Sequence, residues 1–312
     1  MKRRWLLVLL ALVLPLPLHA QEAHRALLAA KLRAELERIA REVPGVMGAS
    51  VVDLTSGERM GVNDTLTFPQ GSAIKVPVLL ELFRQAEAGR LRLDERVEVR
   101  AADRAGGSGV LQHFGDGTAA LSLRDLAVLM IVLSDNTATN LLIDRVGMEN
   151  VNRTLREMGF SRTLLQRKMI RPRESARGRE NLSTAAEAAE LMARIHRCRI
   201  PVGEAGCREV RRILEIPKEG PLPAALPAGT RVAWKPGGIT GVQTAWGIVD
   251  LRGRPYALAV MVNYSEGDAA GEAIRRVAAA SHSYFSRLAG ATPYGTRVDP
   301  ALLVDTAAVR PR

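Results

Sequence analysis

The sequence predicts a mixed α/β fold of the α+β type, an antiparallel sheet flanked by helices with an all-helical stretch inserted into it. Three observations point there. Strand patterns occur only near the two ends of the chain, as a pair before residue 63 and a trio after residue 230. The long stretch between them reads mostly as helices and loops. Leu251-Arg252-Gly253-Arg254 separates the last two strand patterns as a hairpin turn does. With no internal repeat visible, both ends of the chain must build one sheet around the helical insertion.

The elements follow in order. Leu27, Leu28, Leu32, Leu36 and Ile39 recur at helical spacing through 24–41. Residues 48–53 read as a strand, Thr55-Ser56-Gly57-Glu58 as a turn, and 59–62 as a returning strand. A helix is expected over 72–87. Ser122-Leu123-Arg124-Asp125 reads as a capping box before the apolar run 126–133. Helices follow at 138–146, 151–158 and 184–197, then strands at 231–235, 242–250 and 256–262, and a closing helix at 269–288. The tail beyond Gly290 holds Pro293, Pro300 and Pro311 and is expected to fray. The expected division is an α/β domain from 21–70 and 216–290, a mainly helical domain at 71–215, and a tail at 291–312.

Residues 1–20 read as a secretory leader. Lys2, Arg3 and Arg4 precede an apolar run from Trp5 to Leu18 that is too short to span a bilayer comfortably, and Ala20 suits cleavage. A periplasmic or secreted protein is expected, with no stable membrane span. The formal charge is +11; the leader carries three of those positives and no acid, which leaves +8. Only six residues are lysines: Lys2, Lys31, Lys75, Lys168, Lys218 and Lys235. The arginines are scattered and aromatics are 4%, so the basic stripe with interleaved aromatics of a nucleic-acid binder is missing. Cys198 and Cys207 bracket a short Pro- and Gly-containing loop; in an oxidising compartment they are expected to bridge. With His196 they fall short of a metal's four ligands.

Three short motifs carry the chemistry. Ser72-Ala73-Ile74-Lys75 places a lysine one turn after a serine at a helix start, where free N–H groups and the helix dipole favour a developing oxyanion. A lysine that burial and neighbouring cations make less basic can take the serine's proton without a histidine. Ser134-Asp135-Asn136 offers a hydroxyl to pass a proton to a leaving amine, and an amide to hold a substrate carbonyl. Lys235-Pro236-Gly237-Gly238 closes a strand with glycines that let another backbone approach, and the N–H of Gly238 is a second oxyanion donor. Each motif alone is a common local pattern; their order and contexts together are not. By contrast, Gly106-Gly107-Ser108-Gly109 is not a nucleophile elbow, and His113 and His282 have no triad context.

With the three together, the chain resembles the class A β-lactamases and related penicillin-recognising serine hydrolases. The likeness extends through Phe68-Pro69-Gln70-Gly71 before the serine, Thr137 to Leu142 after the second motif, and Ile239-Thr240-Gly241 after the third. In element order it covers about residues 24–288. It implies an α/β domain beside an all-helical one, with the active site between them. It implies that a β-lactam or related acyl donor acylates Ser72. Lys75 would be the base and Ser134 the proton relay, with Asn136, Lys235 and Thr240 on the substrate and the N–H groups of Ser72 and Gly238 around the oxyanion. No metal or organic cofactor is required.

Two departures stand out. The segment 163–169 looks like the one leading to the family's deacylating glutamate, and that registration puts Met169 in its place. Glu174 and Glu180 are the nearest downstream acids, with Glu174 the better candidate because Pro172 and its loop can aim it inward. Pro236 stands where the family has a hydroxyl that helps hold the substrate carboxylate. If the N–H of Gly238 faces the cleft, so does the position two residues earlier, and the missing N–H of Pro236 costs no ladder bond, whereas the lost hydroxyl costs about 1.5–3 kcal/mol of substrate binding. Two rivals therefore stand beside a β-lactam hydrolase: a peptidase or esterase acting on cell-wall peptides or esters, and a penicillin-binding protein that stays acylated.

Overall fold

The computed structural model describes residues 16–266, 268–292 and 295–299. Helix α1 (Leu16–Glu42) leads into the hairpin of β1 (Val46–Asp53) and β2 (Arg59–Val62), then a short β3 (Thr67–Pro69). A 3₁₀ turn, Gly71–Ile74, opens directly into α2 (Lys75–Glu87). The middle of the chain carries β4 (Arg96–Glu98), β5 (Ala120–Ser122), α3 (Leu123–Val132), α4 (Asn136–Val146), α5 (Met148–Glu157), α6 (Pro172–Ala176), β6 (Leu182–Thr184), α7 (Ala185–His196), α8 (Glu204–Glu215) and α9 (Pro221–Ala224). Strands β7 (Val232–Ile239), β8 (Val242–Val249) and β9 (Tyr256–Asn263) and helix α10 (Ala269–Ala289) complete it.

The main sheet is antiparallel in the order β2-β1-β9-β8-β7. Its two halves join where β1 pairs with β9, with Val46 opposite Asn263 and Asp53 opposite Tyr256. The period-2 alternation of β1 sends Met47, Ala49 and Val51 to one face, where Leu32, Leu36 and Ile39 of α1 and Ile274, Val277 and Phe285 of α10 cover them. Val52 of β1, with Trp246, Ala259 and Met261, faces the other way, toward Ala188, Leu191 and Met192 of α7 and the interior of α2 and α4. Both faces are covered, so β9 is buried along nearly its whole length.

Ser122 caps α3 through its side chain, Asp135 caps α4 and Thr184 caps α7, each accepting a backbone N–H from the first turn. Cys198 and Cys207 form a disulfide across the α7–α8 connection, with Cα atoms 5.7 Å apart. Closing so short a loop stabilises by about 2.5–3 kcal/mol on the chain-entropy account.

The short strands β3, β4, β5 and β6, which pair two by two outside the main sheet, are not expected from the sequence, and three expected segments differ. The strand expected at 231–235 runs on to Ile239, because β7 is the sheet edge, where a proline is tolerated on the unpaired side. The helix expected from residue 72 begins as a 3₁₀ turn, forced by the left-handed backbone of Gly71 at φ 50°. The beginning of the tail folds back: Val298 N–H donates to Gly290 O at 2.7 Å and Thr292 N–H to Thr296 O at 2.9 Å. Most of the expected leader (1–15) and residues 300–312 lie outside the described residues, while 16–20 begin α1. Among the described residues no helix is long and apolar enough to cross a membrane.

Candidate active site

Ser72 sits in the 3₁₀ turn pressed against the inner side of β7. The contact is backbone to backbone: a Cβ on Gly71 would lie 2.6 Å from Gly238 N, and one on Gly237 would lie 2.2 Å from Gln70 O and 2.7 Å from Ala73 N. Only glycine fits either position, since real Cβ contacts do not fall below 3.0 Å. Gln70 locks this junction. Its backbone oxygen accepts Thr244 Oγ1–H at 3.0 Å and Ala73 N–H at 3.1 Å; its side chain accepts Trp246 Nε1–H at 2.9 Å and donates to Phe68 O at 2.8 Å.

Lys75, the first residue of α2, is fully buried. Its Nζ donates to Ser134 O at 2.6 Å, Asn136 Oδ1 at 2.9 Å and Ser134 Oγ at 3.1 Å. Burial pulls its pKa down to about 7, against the opposing pull of the Asp135 carboxylate. Lys235 on β7 is buried as completely and donates to the same Ser134 Oγ at 3.1 Å and to Pro236 O at 2.8 Å. Burial, then the charges of Lys75 and Lys218, push Lys235 well below the ordinary lysine range. Lys218, whose Nζ donates to Leu214 O and Ile216 O, is lowered by burial to about 8.

Ser134 adopts φ 53°, the left-handed region that few non-glycine residues enter. The turn is held from both sides. Asp135 accepts Ala138 N–H at 2.9 Å, Val110 N–H at 2.7 Å and Leu111 N–H at 2.9 Å, so it caps α4 and anchors the 105–111 loop at once. Asn136 donates from Nδ2 to Gly106 O at 2.8 Å and from its backbone to Ser108 O at 3.0 Å. The Asp135 carboxylate and the Asn136 amide oxygen are thus committed to geometry, and the hydroxyl of Ser134 bridges two amines.

A cleft of about 450 Å³ opens over Ser72. Gly238, Ile239 and Thr240 form one wall; Gly107, Ser108 and Asn136 form a second; Arg167, Met169 to Pro172, Ser175 and Asn181 supply most of a third. Met169 lies on this third wall, its backbone clamped by Asn140, which accepts Met169 N–H at 2.8 Å and donates to Met169 O at 3.2 Å. Asn181 clamps the segment just before it, accepting Gln166 N–H at 2.8 Å and Arg167 N–H at 3.1 Å.

The three motifs therefore meet at one place: Lys75, Ser134, Asn136 and Lys235 are joined by hydrogen bonds, while Ser72, Gly238 and Thr240 line the cleft above them. Glu174 stands apart. Its carboxylate pairs with Arg179 at 3.0 Å and Arg177 at 3.3 Å, and it does not line the cleft, though Pro172 and Ser175 beside it do. Glu180 is held by Arg167 at 2.8 Å and accepts the Ser175 hydroxyl. No carboxylate lines the cleft among the described residues. Pro236 offers only its carbonyl, to Lys235, and Thr244 is spent on Gln70.

A profile of the beta-lactamase enzyme family matches residues 31–285. The chain belongs to that family. Among curated relatives, beta-lactamase L2 of Stenotrophomonas maltophilia is 35% identical over 170 residues, 53% of this chain and 54% of L2. The chain thus spans about half the length of that relative. Solved structures match further along the chain. PBP-A is 28% identical with a TM-score of 0.75 over 82% of this chain and 96% of its own. A Leu-to-Glu variant of PBP-A, solved as an acyl-enzyme complex with penicillin G, has the same identity and TM-score over 84% and 97%. A beta-lactamase from Sphaerobacter thermophilus is 31% identical with a TM-score of 0.72 over 85% and 97%. The mixed helix and antiparallel-sheet architecture is the one these proteins share with this chain.

Sequence reasoning named the motif residues and missed the contacts that hold them. Asn140 is one helical turn beyond Asn136 on the same face of α4, a spacing that could have pointed to it. Gln70, Asn181 and Lys218 left no such local signal; their partners are remote in the chain.

Proposed function

We propose that this protein is an exported serine hydrolase of the class A β-lactamase type, acylated at Ser72 by β-lactams and hydrolysing them. The observation that carries the reading is the convergence of two buried amines on the Ser134 hydroxyl beneath a cleft that opens on Ser72. Lys75, near pKa 7, is the base. When it is neutral it has two protons for three contacts. Ser134 O and Asn136 Oδ1 only accept, so the contact that reverses is the one with Ser134 Oγ. Once Lys75 takes the Ser72 proton it donates to that hydroxyl again, and Ser134, which also accepts from Lys235, passes its own proton to the leaving nitrogen and is reprotonated by Lys75. The N–H groups of Ser72 and Gly238 receive the oxyanion, Asn136 and Lys235 orient the acyl donor, and Thr240 contacts it.

Export after cleavage behind Ala20, and a division into an α/β domain (21–70 and 216–290) and a helical one (71–215), belong to the same reading. The cleft then lies where the nucleophile turn, β7 and the N-terminus of α4 meet. Nothing in the reaction so described requires a cofactor, and a small acyl donor is the only partner it needs.

A second reading has its own observation, the absence of a carboxylate on the cleft wall among the described residues. Glu174 can serve as the deacylating base only if its loop moves and its two arginine pairs break. Without that, the acyl-enzyme persists, as in a penicillin-binding protein, or the physiological donor is a cell-wall peptide or ester. Mass spectrometry after a penicillin pulse, with nitrocefin turnover in parallel, separates these. A transient adduct of intact protein with ring-opened product is expected. A lasting adduct selects the penicillin-binding reading, and ester cleavage with no adduct the second enzyme. Ser72→Ala should abolish every adduct; labelling that survives it removes Ser72 as nucleophile.

A further inference from the structure

A second cavity, of about 410 Å³, lies between the beginning of α1 and the end of α10. It is on the sheet face turned away from α2 and α4, so it is separate from the cleft. Its apolar lining includes Leu27, Leu28 and Leu288, and Leu27 is 62% exposed. Arg25, Lys31, Arg254, Arg287 and Arg297 also line it, and among the described residues no lining residue is acidic.

The surrounding surface does not leave its arginines in this state. Arg33 pairs with Glu58, Arg38 with Glu35 and Glu42, and Arg276 with Glu42. At the cavity, Lys31 and Arg287 make no ion pair with an acid among the described residues. Arg254 is nearly buried, and its Nε has no hydrogen-bond partner among the described residues. Its one acid, Asp53 at 3.5 Å, already accepts Thr55 N–H, Ser56 N–H and the Ser56 hydroxyl. Buried donors without acceptors are costly, and clustered cations repel.

We propose that this cavity binds a single-chain anionic amphiphile of the fatty-acid type. Its carboxylate would sit among Lys31, Arg254 and Arg287, and its alkyl chain on Leu27, Leu28 and Leu288. An inorganic anion would leave the leucines unused, and a neutral lipid would leave the cations uncompensated. The head group answers the charge and the chain answers the apolar surface.

Calorimetric titration of the intact chain with dodecanoate, below its micelle concentration, tests this. Saturable one-to-one binding is expected, with dodecanol and acetate at least tenfold weaker. The double variant Lys31→Glu, Arg287→Glu should weaken dodecanoate at least tenfold, and Leu27→Ser several-fold, with the thermal melt of each variant as the folding control. If the charge reversal unfolds the chain, Lys31→Gln with Arg287→Gln reads the same effect at smaller amplitude. Ser72→Ala should leave the affinity unchanged. Absence of saturable binding, or binding indifferent to the neutralised pair or to chain length, overturns the proposal. So does binding by a chain ending at Asp299 when the full chain does not bind, which would make the segment beyond Asp299 the occupant.

Discussion

Lys75 illustrates how burial converts a residue into a reagent. An amine in water would be protonated at neutral pH; here desolvation brings its pKa to about 7, so roughly half is neutral at that pH. The active form of a base is the deprotonated one. The rate of Ser72 acylation should therefore rise with pH through about 7 and level off above it, as read by stopped-flow nitrocefin kinetics or penicillin labelling. A rate that falls across that window would assign the proton transfer elsewhere. Met169 makes the complementary point. Its backbone is fixed by two hydrogen bonds with Asn140, and the residue lines the cleft, so the position is already built to aim a side chain into it. Met169→Glu should then speed deacylation at least tenfold with little change in acylation, seen as a shorter-lived adduct. Equal effects on both steps would mean that the position does not face the water.

At the level of elements, the decisive joint is between the 3₁₀ turn and the edge strand β7. Its closeness depends on Gly71 and Gly237, whose missing side chains let two backbones approach. Gly237→Ala forces the strand and the turn apart by a large fraction of an ångström, and displacements of that order cost about a hundredfold in rate. The variant should keep its far-ultraviolet circular dichroism and lose about that factor in acylation. Wild-type acylation by Gly237→Ala would detach the strand from the oxyanion site. The same joint explains why β7 continues through Pro236. Only one side of the strand is paired, and the prolyl nitrogen sits on a strand that has no second neighbour to satisfy.

Over the whole molecule, the sheet, its flanking helices and the three motifs were legible in the sequence because each rests on local signals: period-2 and period-3.6 hydrophobicity, capping residues, a glycine hairpin. Phe68 to Lys75 and Ser134 to Leu142 carried the family likeness as well. The contacts that hold these motifs in place were not legible. Gln70 bonds Trp246 across the sheet, Asn181 bonds Gln166 across a loop, and Lys218 acts on Lys235 only through the field inside the fold. Such pairings depend on tertiary proximity, which no window along the chain contains. Nor could the sequence say that Glu174 would be drawn to Arg177 and Arg179, since the direction of a loop carboxylate is settled by its neighbours in space.

Helices α1 and α10 lie together on one sheet face, and a Cβ placed on Gly295 would lie 3.2 Å from His24 Nδ1. A few glycines and serines would span that gap. A circular permutant joined there and opened in the exposed turn at Arg252–Gly253 keeps every strand pairing and leaves the cleft untouched. It should fold, with a melting temperature within several degrees of the parent and the same labelling rate at Ser72. A permutant that cannot be recovered folded would mean that assembly requires β1 to be made before β9.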